Sequence, residues 1–156
     1  MKIEEDDPHR PAVTRLLKAH LELMRSLSPP ESVHALDLDA LCAPSVTFWT
    51  AREGDQTLAC GALRELDPTH GEIKSMHTSS LTRGRGLGEA MLRHIMNVAR
   101  ERGYERLSLE TGRPETFGAA QRLYARHGFS ECPPFADYTD DPFSLCMSLD
   151  LTTASP

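Results

Sequence analysis

The run LTRGRGLGEAM, residues 81–91, joins two segments of different periodicity, and this junction limits the folds open to the chain. The preceding EIKSMHTSS is typical of a strand, whereas apolar residues after the run recur at helical spacing until Gly103. RLSLET, which has the composition of a buried strand, follows directly. Strand, helix and strand in this order predict a βαβ-like unit.

The other segments predict strands and helices that complete a single unit. Strands are expected at residues 2–5, in SVTFWTARE and QTLACGALREL across Gly54-Asp55, near Phe129 and in FSLCMSLDL. Helices are expected from Pro11 to Leu27, in HALDLDALCAP with Asp37 as a candidate N-cap, and in ETFGAAQRLYARHG. No repeat, linker or low-complexity segment interrupts them, so residues 1–156 are interpreted as one compact α/β or α+β domain.

Composition narrows the class of protein. The 156 residues are 39% hydrophobic and 26% charged, as in soluble globular proteins, and no apolar run approaches the roughly 20 residues of a membrane helix. The acidic start MKIEEDDPHR lacks the apolar core of a signal peptide, so a cytoplasmic location is expected. A net charge of -6 argues against nucleic-acid binding. The four cysteines and seven histidines lack metal-site spacing, which predicts reduced thiols and no metal.

The glycine–arginine loop has the composition of an anion site. Glycines expose backbone N–H groups, a helix start adds unpaired donors and partial positive charge, and two arginines stand beside both. A small phosphorylated molecule is therefore the expected ligand. The P-loop spacing GxxxxGK[ST] is absent, as are the dinucleotide motif GxGxxG and the further signatures of a kinase.

What remains is the pattern Arg83-x-x-Gly86-x-Gly88, after a strand and at the start of a helix. It resembles the acyl-CoA-binding motif (Q/R-x-x-G-x-G/A) of the GNAT superfamily of N-acetyltransferases. RLSLET is similar to the fifth strand of that superfamily, and AAQRLYARHGF to its A-x-x-L-Y-x-x-x-G-F segment. The resemblance covers essentially the whole chain. It implies an α+β GNAT fold, with a mixed, mostly antiparallel sheet of about seven strands, about four flanking helices, and splayed fourth and fifth strands.

The resemblance implies acetyl-CoA as cosubstrate and no metal. Backbone groups of Met76 and Thr78 would pair with the pantetheine arm, as an added strand does. N–H groups from about Arg83 to Glu89 would bind the diphosphate at the helix start, where arginines complement its charge. The expected cofactor-binding residues are Met76, His77, Thr78, Arg83, Gly84, Arg85, Gly86, Leu87, Gly88, Glu89 and Tyr124. Phe117 and Ser80 depart from the family pattern, in which Asn and Pro are common.

The resemblance further implies direct attack of an acceptor amine on the bound thioester. Tyr124 occupies the tyrosine position of the family and is the expected proton donor to the leaving thiolate. The general base is open between Glu72, His77 and Glu110. Strand alternation predicts that Met76 shares a face with Glu72 and that His77 does not, unless a bulge intervenes.

The acceptor site is expected between the first two helices and the last hairpin. LSLETG and PPFADYTDDPFS resemble a bacterial subgroup that acts on small molecules, and the acid-rich ADYTDDP suits an amine. The expected lining residues are His34, Trp49, Glu110, Asp137 and Tyr138, although a lone Trp in a strand more commonly belongs to the core. A small amine or amino acid is the preferred acceptor; a protein amine, a non-catalytic acyl-CoA sensor and an ATP- or NAD-binding module are the alternatives. Because family members often dimerise, a homodimer is among the expected states.

Overall fold

The structure is a computed structural model that describes residues 1–27, 38–82, 84–113 and 117–152. His34, Asp37 and Arg83, for which the sequence makes predictions, lie outside the described residues. In chain order the elements are β1 (Lys2–Glu5), α1 (Pro11–Leu27), α2 (Leu38–Leu41), β2 (Val46–Glu53), β3 (Gln56–Asp67), β4 (His70–Thr78), a 3₁₀ turn (Ser80–Thr82), α3 (Leu87–Glu101), β5 (Arg106–Gly112), α4 (Gly118–Arg126), β6 (Ser130–Glu131) and β7 (Ser144–Asp150).

All seven of these strands form one sheet in the order β1-β2-β3-β4-β5-β7-β6. Every neighbouring pair is antiparallel except β4 and β5, which are parallel because α3 crosses over between them. The mixed, mostly antiparallel sheet with four described α-helices confirms the predicted α+β fold class. No helix in the described part of the chain is long and apolar enough to cross a membrane.

The two parallel strands stay together for only part of their length. Their pairing ends at Ile73 of β4 and Leu109 of β5. Beyond that point β4 continues to Thr78 and β5 to Gly112, and these described stretches do not pair with each other. The predicted splay of the fourth and fifth strands is therefore confirmed, and it opens a gap in the middle of the sheet.

Amphipathic helices cover both faces of the sheet, because each buries one apolar stripe. The larger apolar cluster includes Ile95 of α3 and Tyr124 of α4 and defines the α3 face. The smaller cluster includes Leu17 of α1 and defines the α1 face. Ala62 and Leu63, neighbours in β3, belong one to each cluster, so the two clusters lie on opposite sides of the sheet.

A bulge in β4 decides which of its side chains reach each face. Cys60 and Ala62 of β3 pair with His77 and Lys74 of β4, so β4 contains one extra residue between these pairs. Ser75, within the bulge, has a left-handed φ of 56°, and the Cys60 thiol donates to its carbonyl at 3.1 Å. The extra residue inverts the alternation of side chains over the rest of the strand.

The bulge therefore brings His77, and not Met76, to the face that carries Glu72. Ile73 packs in the cluster of the α3 face, which turns Glu72 to the α1 face. His77 pairs with Cys60, a member of the α1-face cluster, whereas Met76 packs with the α3-face cluster. The exception that the sequence left open is thus the one that applies, and plain alternation fails here.

Candidate active site

The gap between β4 and β5 leaves backbone groups of β4 without a neighbouring strand. The N–H of Ser79 donates to the carbonyl of Leu58 in β3 at 2.7 Å, so this group points away from the gap. Because backbone groups alternate in direction along an antiparallel strand, those of Thr78 point into the gap. An extended ligand can pair there as an added strand does.

The segment before α3 presents backbone donors at the end of this gap. Gly84 and Gly86 have φ angles of 85° and 77°, in the left-handed region that favours glycine. Gly86 has no side-chain cap, and its carbonyl accepts a hydrogen bond from the N–H of Ala90 at 3.0 Å. The N–H groups of residues 87–89 have no partner within the helix, and such donors, together with the helix dipole, attract anions.

Ion pairs balance the charges around this helix start. The guanidinium of Arg85 is half-exposed and lies 3.1 Å from the carboxylate of Glu53. Glu89, which would repel an anion, has Arg93 at 3.1 Å and His127 at 3.3 Å from its carboxylate. Arg93 therefore offsets the negative charge of Glu89 beside the backbone donors.

Gly88 lies where the ends of β4 and α4 approach the first turn of α3. A Cβ atom at this position would lie 3.6 Å from Oγ1 of Thr78 and 3.7 Å from Cδ2 of Leu123, which are ordinary contact distances. A side chain longer than that of alanine would therefore extend beyond these contacts.

Tyr124 places a protonated phenol on the side of the sheet that carries α3 and α4. Its ring is only 6% exposed and meets the ring of Phe129 edge-on at 5.9 Å. Among the described residues, none forms a hydrogen bond with its hydroxyl. Burial raises the pKa of Tyr124 to about 12, so the hydroxyl keeps its proton at neutral pH and can donate it.

Glu72 is fully buried and already has its charge balanced. The hydroxyl of Tyr138 donates to its Oε2 at 2.6 Å, and Nζ of Lys74 lies 3.1 Å from the same oxygen. Nη1 of Arg64 lies 3.7 Å from Oε1, which accepts no hydrogen bond from the described residues. Two cations and one phenol thus surround this carboxylate and occupy one of its two oxygens.

His77 pairs with a second histidine that the sequence interpretation had not selected. Nδ1 of His77 lies 3.2 Å from Nδ1 of His20 in α1, and the ring centroids are 4.9 Å apart. Burial lowers the pKa of His20 to about 4, so this ring is neutral at physiological pH. The signal in the sequence is that His20 occupies an apolar-face position of α1, where a polar side chain needs a partner.

Protonation of His20 makes a prediction about stability. Its pKa is about 4 in the folded chain and about 6.5 in the unfolded chain. As pH falls, the unfolded state binds the proton first, so stability is lost between pH 6.5 and 4. We expect a loss of about 2 kcal/mol between pH 7 and 5 from this residue. Urea unfolding at both pH values should show a smaller difference for His20→Asn than for the wild type.

Other histidines contribute to the same pH dependence of stability. Burial also lowers the pKa values of His70 and His94, so these residues contribute in the same pH range. The His20→Asn change should therefore flatten the pH dependence without removing it. An identical pH dependence in both proteins would contradict the neutral state of the partly buried His20.

Three of the predicted acceptor-site and base residues converge on the α1 face. Ser144 donates its hydroxyl to the carboxylate of Glu110 at 2.6 Å. Burial, and then the charges of Glu72 and Glu110, raises the pKa of the Tyr138 phenol. The hydroxyl of Tyr138 thus bonds one carboxylate and is influenced by the charge of the other, and Tyr138 belongs to the segment that precedes β7. A cavity of about 300 Å³ lies beside Ser144, between β7 and residues 131–141.

Two other predicted residues lie apart from this group. Trp49 is 4% exposed, packs in the α3-face cluster and meets the ring of His94 at 5.2 Å, so its placement is that of a core residue. Asp137 is exposed beside Tyr138. In the described residues no group of three or more His, Cys, Asp or Glu side chains could hold a metal ion.

Comparison with known proteins identifies the family. Residues 13–129 match the model of the acetyltransferase (GNAT) family. The chain is 50% identical to the uncharacterized N-acetyltransferase YsnE of Bacillus subtilis, over 97% of this chain and 100% of that protein. It is 35% identical to an IAA acetyltransferase of Azospirillum brasilense, over 96% and 97% of the two chains.

A solved structure extends the likeness to the whole fold. A proposed acyl-CoA N-acyltransferase of Klebsiella pneumoniae superposes with a TM-score of 0.78 at 28% identity, over 96% of this chain and 97% of that one. This chain thus shares its fold with that protein over nearly its whole length. The splayed strands, the glycine loop and the buried tyrosine described above belong to this fold. The chain belongs to the acetyltransferase (GNAT) family and is an N-acetyltransferase.

Proposed function

We propose that the protein transfers the acetyl group of acetyl-CoA to an amine of a small molecule or amino acid, with both substrates bound together. The observation that carries this proposal is the gap between β4 and β5, which leads to the backbone donors of residues 87–89. The pantetheine arm pairs with β4 at Met76 and Thr78. The diphosphate binds at the start of α3.

The reaction is a direct attack of the neutral amine on the thioester carbonyl. The new C–N bond forms, the C–S bond breaks, and CoA leaves as a thiolate. Tyr124 gives its phenolic proton to the thiolate, since its raised pKa keeps that proton in place until the leaving group develops charge. A base removes the surplus proton of the amine.

We assign the base to His77. It lies on β4 beyond Ile73, where the strand borders the gap, and its side chain is on the α1 face. Glu72 lies before the gap opens, and its carboxylate is paired with Lys74 and hydrogen-bonded to Tyr138. Glu110 lies on the β5 edge of the gap and suits a second task, which is to attract the ammonium form of the acceptor.

The acceptor class is supported by the size and charge of this region. Glu110, Tyr138 and the cavity beside Ser144 lie together on the α1 face, under the segment that precedes β7. A space of about 300 Å³ suits a small molecule better than a peptide in extended form. The relative from Azospirillum brasilense is itself named for a small molecule.

Thermal unfolding with parallel ligands tests the donor. Acetyl-CoA, CoA, ATP and NAD are each added to the protein, and the midpoint of unfolding is recorded. A ligand at about 100 times its Kd stabilises the folded state by about 2.7 kcal/mol, which raises the midpoint by several degrees. We expect this shift with acetyl-CoA and CoA. A shift with ATP or NAD alone would exclude the proposed donor site.

The acceptor is tested with an amine panel and thiol release as the readout. The panel contains the standard L-amino acids, putrescine, spermidine, tryptamine and a lysine-containing peptide. Acetylation of a small amine supports the proposal. Acetylation of the peptide alone identifies a protein-type acceptor, and acetyl-CoA binding without turnover on any amine identifies a sensor.

A further inference from the structure

The contact between His20 and His77 connects α1 with the part of β4 that follows the bulge. His20 belongs to the sheet-facing side of α1, and the extra residue at Ser75 turns His77 toward it. The two Nδ1 atoms are 3.2 Å apart, which is the distance of a hydrogen bond. Two bare nitrogens would repel, and so would two N–H groups. One Nδ1 must therefore carry a proton and the other must accept it.

The neutral state of His20 fixes the direction of the hydrogen bond whenever His77 is protonated. Because its pKa is lowered to about 4, His20 does not carry a positive charge at neutral pH. Whenever His77 takes up a proton, both of its nitrogens are protonated, and its Nδ1–H can only donate. The neutral His20 then accepts this charge-assisted hydrogen bond.

We propose that His20 is a positioning residue for catalysis: its Nδ1 accepts the Nδ1–H of His77 and thereby leaves Nε2 of His77 as the nitrogen that takes the proton of the acceptor amine. The hydrogen bond stands independently of the reaction, whereas its catalytic consequence rests on the proposed role of His77 as base. The arrangement resembles in its logic the carboxylate that orients the histidine of a serine protease triad. Here a neutral imidazole replaces the carboxylate.

The groups packed around the pair are a buried thiol, a paired lysine and apolar side chains. Burial raises the pKa of the Cys60 thiol, which lies opposite His77 on β3, to about 12, so it remains neutral. Lys74, on the same face of β4, is held by Glu72 and Tyr138. Leu16 and Leu17 occupy the neighbouring sheet-facing positions of α1.

Side-chain ¹⁵N NMR tests the hydrogen bond without any substrate. The His77 signals are assigned by their loss in His77→Gln. In the wild-type protein we expect His77 to carry its proton on Nδ1 and to have an unprotonated Nε2. In His20→Ala we expect the proton to move to Nε2, the tautomer preferred by imidazole in water. A wild-type His77 with its proton on Nε2, unchanged in His20→Ala, would overturn the proposal.

Kinetics test the catalytic consequence with the most active amine of the panel above. We expect His20→Ala to lower kcat about tenfold or more, with little change in the KM for acetyl-CoA. His20→Asn should recover part of the lost kcat, because its amide oxygen accepts the same hydrogen bond. His20→Ala/His77→Ala should be no slower than His77→Ala, because the two residues act as one unit. Fully additive losses would contradict this coupling.

Two controls separate the possible failures. Leu17→Ala weakens the packing of α1 without touching the histidines, so an equal loss of kcat in this variant would reduce His20 to a structural role. A His77→Ala enzyme with unchanged kcat would remove His77 as the base. The NMR result on His20 would stand in that case, and only the catalytic consequence would fall.

Discussion

Replacing Gly88 by leucine is expected to abolish acetyl-CoA binding while the chain still folds. The added Cβ meets Thr78 and Leu123 at 3.6 and 3.7 Å, so the first atom is tolerated. In the proposed donor site, the further carbon atoms extend toward the acyl-CoA arm. Leucine also favours a helix over glycine by up to about 1 kcal/mol. We expect the Kd for acetyl-CoA, measured by calorimetric titration, to rise at least about 100-fold.

Gly88→Ala is the matched control for this change. It adds only the Cβ atom, and alanine is accepted at this position in the motif that the sequence resembles. Near-normal affinity in Gly88→Ala, together with lost affinity in a folded Gly88→Leu, locates the cofactor beside Thr78. Normal binding by the leucine variant would mean that acetyl-CoA takes another path.

Gly86 is a less decisive position for the same test. Its φ of 77° requires a left-handed backbone, which costs a residue with a side chain roughly 1–2 kcal/mol. Lost binding in Gly86→Val would therefore combine a distorted loop with a blocked site. Gly88 lies within the helix and has no left-handed φ, so its substitution does not distort the loop in this way.

The parts of the fold that the sequence predicted well depend on local patterns. The helical period after Gly86 and the turn at Gly54 are local signals, and both elements appear where expected. The splay of β4 and β5 was expected only because the loop and the segment around Tyr124 resemble a known family. The family resemblance therefore supplied the feature that local periodicity cannot show.

The parts that the sequence left open depend on single residues in three-dimensional context. The extra residue at Ser75 leaves no mark in the alternation of EIKSMHT, yet it decides whether Met76 or His77 faces α1. The partner of His77 comes from a helix 57 positions away in the chain. Glu72 could be selected from the sequence as a carboxylate in the right strand. Its hydrogen bond from Tyr138, however, forms only when the segment before β7 is folded.

Tyr124→Phe is expected to lower kcat by about 100-fold or more and to leave acetyl-CoA affinity nearly unchanged. The change removes only the hydroxyl, and the ring keeps its buried contact with Phe129. Loss of a general acid typically reduces the rate by about 10²–10⁴-fold. Steady-state kinetics at saturating acetyl-CoA and amine give kcat, and calorimetric titration gives the Kd.

Tyr104→Phe is the matched control, because Tyr104 is equally buried but its hydroxyl bonds Glu65 on β3. Loss of the Tyr104 hydroxyl should lower the unfolding temperature. It should leave kcat unchanged, because neither Tyr104 nor Glu65 borders the gap. If Tyr124→Phe instead weakened acetyl-CoA binding as much as it lowered kcat, the hydroxyl would hold the cofactor rather than protonate the thiolate. An unchanged kcat would mean that the thiolate leaves without help from Tyr124. The proton that the base removes from the amine would then be the only one that the enzyme transfers during the chemical step.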